Sequence, residues 1–135
     1  MNFVLHPNLH SKIHVLDLEL CSVLLENNKL FPWIFLVPRK NDIKKIIDLS
    51  LDEQKKLYIE LELAQRVMWN LFYPDQLNVA AIGNKTPQLH IHIIARFEKD
   101  LAWPNTVWEF SQKLTYSDEE KTKLIKTLKS AFLEK

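Results

Sequence analysis

The residues best suited to chemistry lie together in one stretch, Gln88-Leu-His-Ile-His-Ile-Ile-Ala-Arg96. Read as a strand, it sends successive side chains to opposite faces. Gln88, His90, His92, Ile94 and Arg96 then share one face, while Leu89, Ile91, Ile93 and Ala95 share the other. The two imidazoles stand roughly 6–7 Å apart at their Cα atoms, side by side on one rigid element. The apolar opposite face fixes the register, so the histidines cannot slip to the other side. Three readings fit such a pair. Both rings can sit on a half-exposed sheet face without a role. They can be two ligands of a metal, since neutral imidazole is the commonest transition-metal ligand. No carboxylate shares the strand face, however, so His6, His10 or His14 would have to complete that site. Or one imidazole attacks an electrophile and forms a covalent intermediate. The residues alone leave these three open.

Composition removes other classes. At 135 residues the chain fits one domain, long enough to bury roughly two thirds of the surface it exposes when unfolded. Eighteen Lys and Arg against 17 Asp and Glu give a net charge of +1, which is no electrostatic footprint for a nucleic acid or an acidic membrane. The longest dense apolar run, Leu30 to Val37, is too short to span a bilayer. The opening Met1-Asn-Phe-Val-Leu-His6 has neither the basic nor the long apolar part of a signal peptide, so a cytoplasmic location is expected. One cysteine, Cys21, allows no intrachain disulfide and no zinc site built from several thiolates. The single glycine, Gly83, excludes the phosphate-binding loops and the nucleophile elbow, which need two or three.

The elements that must carry the pair are legible from pattern. Cys21 to Leu25 and Trp33 to Val37 read as strands around the turn cluster Glu26-Asn-Asn-Lys29, and should pair as a hairpin. A long helix spans Leu49 to Phe72, opened by a capping box of Ser50 with Glu53 and closed before Pro74. Its apolar stripe is Leu57, Leu61, Ala64, Met68 and Leu71. Asn78 to Ile82 and Leu89 to Phe97 form a second hairpin. A last helix begins at a second capping box, Ser117 with Glu120, with Leu124, Leu128 and Ala131 inward. Hairpin, helix, hairpin, helix indicates an α+β domain with helices on an antiparallel sheet.

With these elements in place, the chain resembles the histidine triad superfamily, whose signature strand is His-φ-His-φ-His-φ-φ. Family strands commonly run His-φ-φ-Pro-Arg after the last triad histidine, and His92-Ile-Ile-Ala-Arg96 has that spacing. His92 then takes the third position, His90 the central one, and Gln88 the place of the first histidine, as in a divergent branch. Asn78-Val-Ala is similar to the family's Asn-φ-Gly strand, and Phe35-Leu-Val-Pro-Arg-Lys40 to its φ-φ-Pro-Lys segment. The resemblance implies a single domain over residues 1–135, with a core at about 15–97 and a C-terminal extension at 98–135. It also implies a sheet of about five strands with one long helix packed on it and a C-terminal helix.

The resemblance implies an activity as well: a hydrolase or transferase cleaving a nucleoside 5′-phosphoanhydride or phosphoramidate through a nucleotidyl-histidine on His90. His92 and Gln88 would flank the phosphate as donors. Asn78, Asn84, Lys85, Thr86 and Arg96 would bind the substrate, a purine nucleotide. The family's glycine-glutamine-serine/threonine loop is replaced here by Gly83-Asn-Lys-Thr-Pro87, and glutamine cannot change charge near neutral pH. The alternative is therefore a nucleotide-binding or protein-interaction module of the same fold with weak or no turnover. No metal, no cofactor, no nucleic acid and no membrane is expected, and a homodimer is. Among the remaining residues, the four tryptophans read as core or interface, Cys21 as a buried small hydrophobe, and the N-terminal histidine segment as solvated.

Overall fold

The computed structural model describes residues 2–134. Its strands are β1 (Ile13–Asp17), β2 (Cys21–Leu25), β3 (Trp33–Pro38), β4 (Gln76–Ala81) and β5 (Ile91–Arg96). They form one antiparallel sheet in the order β1-β2-β3-β5-β4. Both expected hairpins are present, with Cys21 opposite Pro38 and Gln76 opposite Arg96. Pairing of Phe35 with His92 joins them, so β5 has a neighbour on either side. β1 is the strand that periodicity did not locate. Its register shifts between His14 and Leu16, and Val15 and Leu16 are both buried. A bulge of this kind breaks the alternation by which a strand is read.

Helix α1 (Leu51–Phe72) starts at the expected capping box, Ser50 and Glu53 bonding each other's backbone N–H. It ends at Tyr73, which takes the left-handed conformation (φ 47°) before Pro74. Leu57, Ala64, Val67 and Met68 are buried against the sheet, while Leu61 and Leu71 lie at the margin. One turn of that inner face is a carboxylate. Glu60 accepts the backbone N–H groups of Leu20 and Cys21, both at 2.8 Å, and so ties α1 to the turn between β1 and β2. Two backbone donors replace the water that a buried carboxylate loses. Helix α2 (Asp118–Glu134) is capped by Ser117 and Glu120 as expected, and sends Leu128 and Phe132 into the same core.

The other face of the sheet is covered too. Leu24, Trp33, Phe35, Val37 and Ile94 pack with Leu9 from the N-terminal segment and with Ala102 and Val107 from the segment after β5. The histidine face is thus covered, and the N-terminal segment, although Val4, His10 and His14 stay exposed as expected, lays Phe3, Leu5 and Leu9 against it. The cover is not legible in the sequence because the apolar side chains of the two segments (Phe3, Leu5 and Leu9; Ala102, Val107 and Phe110) are too widely spaced to register as a helix or strand.

Arg96 holds the second of these segments. It is 2% exposed, and its Nε and Nη2 grip the Asp100 carboxylate at 2.8 and 3.1 Å. Its Nη1 donates to Asn78 Oδ1 and its Nη2 to the carbonyl of Asn105, each at 2.8 Å. Arg96 and Asn78, both expected to bind substrate, are thus bonded to each other, and Arg96 also to the segment after β5. The guanidinium is committed inward, and the Asn78 carbonyl serves it. Burial raises the Asp100 pKa, but Arg96 and the N–H groups of Phe97 and Trp103 outweigh this and hold it below its ordinary value. Asp100 thus stabilises the fold above the unfolded carboxylate pKa, and that contribution is lost as pH falls through the lower folded value. Arg96→Ala should cost about 3–5 kcal/mol in urea unfolding, because it leaves a buried charge uncompensated, and should flatten the acid limb of stability against pH. A substrate-binding arginine would leave both unchanged.

Candidate active site

β5 and the residue just before it place His92 and His90 on the covered face, with ring centroids 5.0 Å apart and exposures of 6% and 7%. Each ring has one nitrogen fixed by a partner of defined type. His90 Nδ1 lies 2.7 Å from the backbone carbonyl of Gln88. A carbonyl only accepts, so the proton is on Nδ1 and Nε2 keeps its lone pair. His92 Nδ1 lies 3.0 Å from the indole Nε1 of Trp33. An indole only donates, so here Nδ1 carries the lone pair and Nε2 the proton. The two neighbouring imidazoles are held in opposite tautomers.

His92 is also held neutral. Burial, then the charges of His90 and Lys12, push its pKa down to about 3. Phe35 lies 4.8 Å from the His92 ring and Trp108 meets it edge-on at 5.0 Å. Lys12 sits over Phe35, its ammonium 2.7 Å from Glu26, to which Lys113 also reaches at 3.5 Å.

His90 lines a cavity of about 490 Å³ formed between the segment before α1 and the β4–β5 loop. Lys44, Lys45, Ile46 and Ile47 supply one wall, and Ile82, Gly83, Asn84 and Pro87 another. Lys45 pairs with Asp48 at 3.4 Å, while Lys44 makes no ion pair among the described residues. Of the expected site residues, Asn84 is in this wall and Lys85 is exposed outside it. Thr86 is buried, its Oγ1 accepting from Asn8 Nδ2 at 3.2 Å. Gln88 turns its amide to the N-terminal segment as well, where Oε1 accepts from His6 N at 2.8 Å and Nε2 donates to Val4 O at 3.0 Å. Its backbone carbonyl, not its side chain, serves the nucleophile candidate.

Sequence reasoning missed Trp33, Lys12 and the Lys44-Lys45 pair. Trp33 does carry a signal, since it alternates with Phe35 and Val37 along a strand. What makes it matter is the pairing with β5, which lies beyond the reach of local pattern.

Among the described residues no group of three or more His, Cys, Asp or Glu is arranged to hold a metal ion. The N-terminal histidines are spent elsewhere: His6 Nδ1 accepts from Asn8 N, His10 bonds the carbonyl of Leu5, and His14 pairs with Asp17. Cys21 is fully buried, as expected, and burial pushes its thiol pKa up. No described helix is long and apolar enough to cross a membrane. A larger cavity, about 650 Å³, lies between α1 and α2, away from the histidines, and is lined mainly by apolar groups such as Tyr58, Leu63, Val67 and Ala131.

The comparisons agree with this geometry. A family model described as the HIT domain matches residues 9–99. No curated protein matches the chain. Among solved structures, a histidine triad protein from Bradyrhizobium japonicum is 38% identical over 98% of this chain and 99% of its own, with a TM-score of 0.94. A second, from Marinobacter aquaeolei, is 36% identical over 99% and 98%, also at 0.94. A diadenosine triphosphate hydrolase from Plasmodium falciparum, 20% identical over 100% of this chain and 84% of its own, shares the fold at a TM-score of 0.69. The covering segments at both ends lie within the span shared with the two bacterial structures. With the matched domain and the shared fold in agreement, the chain belongs to the histidine triad family.

Proposed function

We propose that the protein is a nucleotide-binding hydrolase or transferase that works through a covalent nucleotidyl-histidine on His90, and that it acts as a two-fold dimer. The observation that carries the first part is the 2.7 Å bond from His90 Nδ1 to the Gln88 carbonyl. It leaves the Nε2 lone pair available and gives the positive charge that forms on nucleotidylation a carbonyl to rest against. The step is attack of Nε2 on the α-phosphorus, departure of the leaving group, and release of the nucleoside monophosphate by water or a second acceptor. His92 Nε2–H donates to the equatorial oxygens, where charge spreads in the transition state. The cavity beside His90 takes the nucleotide, its isoleucines against the base and Lys44 and Lys45 towards anionic oxygens. That assignment replaces Arg96 with lysines.

Intact-mass spectrometry after incubation with a dinucleoside polyphosphate should show a nucleoside-monophosphate adduct in the native protein and none in His90→Ala. His92→Ala should keep the adduct but slow turnover by about 10² to 10³, the usual effect of losing one preorganised donor. An adduct on His90→Ala would move the nucleophile elsewhere. Tight nucleotide binding with no adduct in the native protein would favour the binding-module alternative.

The dimer rests on the outward side of α1, where Leu51, Tyr58, Ile59, Trp69 and Tyr73 are exposed. Next to it β4 is an edge strand with Val79 exposed. A two-fold axis here would cover both the apolar face and the unpaired edge. Light scattering at micromolar concentration should return twice the chain mass, 16.0 kDa each, and a monomer would refute it.

A further inference from the structure

We infer that Trp33 locks His92 as a permanently neutral Nε2–H donor, and that the site therefore takes nucleoside phosphoanhydrides, whose leaving group departs as a stable anion, rather than phosphoramidates. The inference deepens the nucleotidyl-transfer reading and rests on it for its substrate half. An indole has one N–H, no acceptor and no charge at any ordinary pH. With Trp33 Nε1 donating to His92 Nδ1 at 3.0 Å, a second proton on His92 can only go to Nδ1, where it would meet the indole hydrogen head-on. Trp33 cannot swing away cheaply. It is 8% exposed and is packed by Phe35 at 6.0 Å and by Trp108 at 5.8 Å.

The other groups facing His92 work in the same direction. Lys12, from the segment before β1, opposes a positive charge on His92, and so does His90, just before β5, whenever it is itself protonated. Glu26, after β2, is engaged by Lys12 and Lys113. Phe35 from β3 and Trp108 from the covering segment do not titrate. The low pKa of His92 agrees with this enclosure.

The consequence falls on the leaving group. When His90 Nε2 attacks, the new N–P bond forms as the bond to the leaving group breaks, and the electron pair goes with that group. A phosphate or nucleotide oxygen keeps the pair as a stable anion, and no proton needs to move. Water then attacks phosphorus, the N–P pair returns to Nε2, and the water proton passes to solvent. An amine leaving group must instead gain a proton as the P–N bond breaks. His92 has only its Nε2 proton to give, and giving it would leave an imidazolate. Lys12 is engaged by Glu26 and Lys45 by Asp48.

Nitrogen-15 histidine NMR on the full chain tests the lock without any need for turnover. His92 should give the neutral Nε2–H pattern, unchanged from pH 8 to pH 5, and in Trp33→Phe it should shift towards the Nδ1–H tautomer. An imidazolium or an Nδ1–H signal for His92 in the native protein overturns the lock, even where Trp33→Phe fails to fold. A folded Trp33→Phe with an unchanged pattern overturns it as well. Single-turnover adduct formation should be at least about 10²-fold faster from a dinucleoside polyphosphate than from an adenosine phosphoramidate, the low end of what a missing general acid costs. Equal rates, or a faster phosphoramidate, overturn the substrate half. Adduct from neither, with the NMR pattern as expected, overturns the nucleotidyl reading and its substrate half and leaves the lock standing.

Discussion

Two imidazoles sit side by side on a strand that is covered on both faces, and much else follows from that constraint. Away from water, a buried polar atom needs a protein partner. The partner's type then decides where each ring keeps its proton. Gln88 offers a carbonyl two residues back along the chain, while Trp33 offers an indole N–H from β3. The second partner exists only in one register. Phe35 faces His92 and Trp33 faces Ile94 across the β3–β5 ladder, so Trp33 reaches His92 as a diagonal neighbour on the same face. A one-residue slip would send the indole to the helix side. What prevents the slip is the opposite face of β5: Leu89, Ile91, Ile93 and Ala95 are all buried in the core beneath α1.

The cover over the histidines is built from the N-terminal segment and the segment after β5, in which the regular pieces are single 3-10 turns at Pro7–Leu9 and Val107–Glu109, and such segments need specific anchors. On one side the anchor is Arg96, with each guanidinium nitrogen occupied. A buried ion pair stabilises a fold only when its remaining hydrogen-bonding capacity is met, and here Asn78, Asn105 and the N–H groups of Phe97, Ala102 and Trp103 meet it. On the other side Thr86 and Gln88 receive Asn8 and the backbone of Val4 and His6, and Asn41 holds the backbone of Asn2 and Val4. Arg96 at the end of β5, and Thr86 and Gln88 just before it, thus also fasten the cover above the histidines.

This explains which features the sequence discloses. Alternation along β5, the capping boxes at Ser50 and Ser117 and the apolar stripe of α1 are local patterns, and local patterns are legible. The bulge at Val15 erases the pattern of β1. Glu60 reads as a solvent residue by type, because its partners are N–H groups 39 and 40 positions away. Arg96 has the right face for a phosphate ligand; only the fold of residues 98–105 shows that Asp100 takes it first. Lys44 and Lys45 belong to no motif, and reach the cavity through the path of a loop. The histidine pair is legible as two rings on one face, whereas the partner that fixes the His92 ring, Trp33, comes from elsewhere in the chain.

Gln88 shows why the position next to the pair is best understood together with the N-terminal segment. Its carboxamide accepts from one backbone N–H and donates to a backbone carbonyl two residues earlier, the same reciprocal exchange that a neighbouring strand would make. An amide side chain can do this because its donor and acceptor lie side by side on one carbon. A neutral imidazole also has one donor and one acceptor, but they point away from each other across the ring. A histidine at position 88 could therefore hold Val4 or His6 but not both. The Gln88 side chain is the edge against which residues 4–6 lie. The backbone carbonyl of the same residue orients His90 whatever the side chain is. Gln88 thus serves His90 through its backbone carbonyl and latches the cover through its side chain.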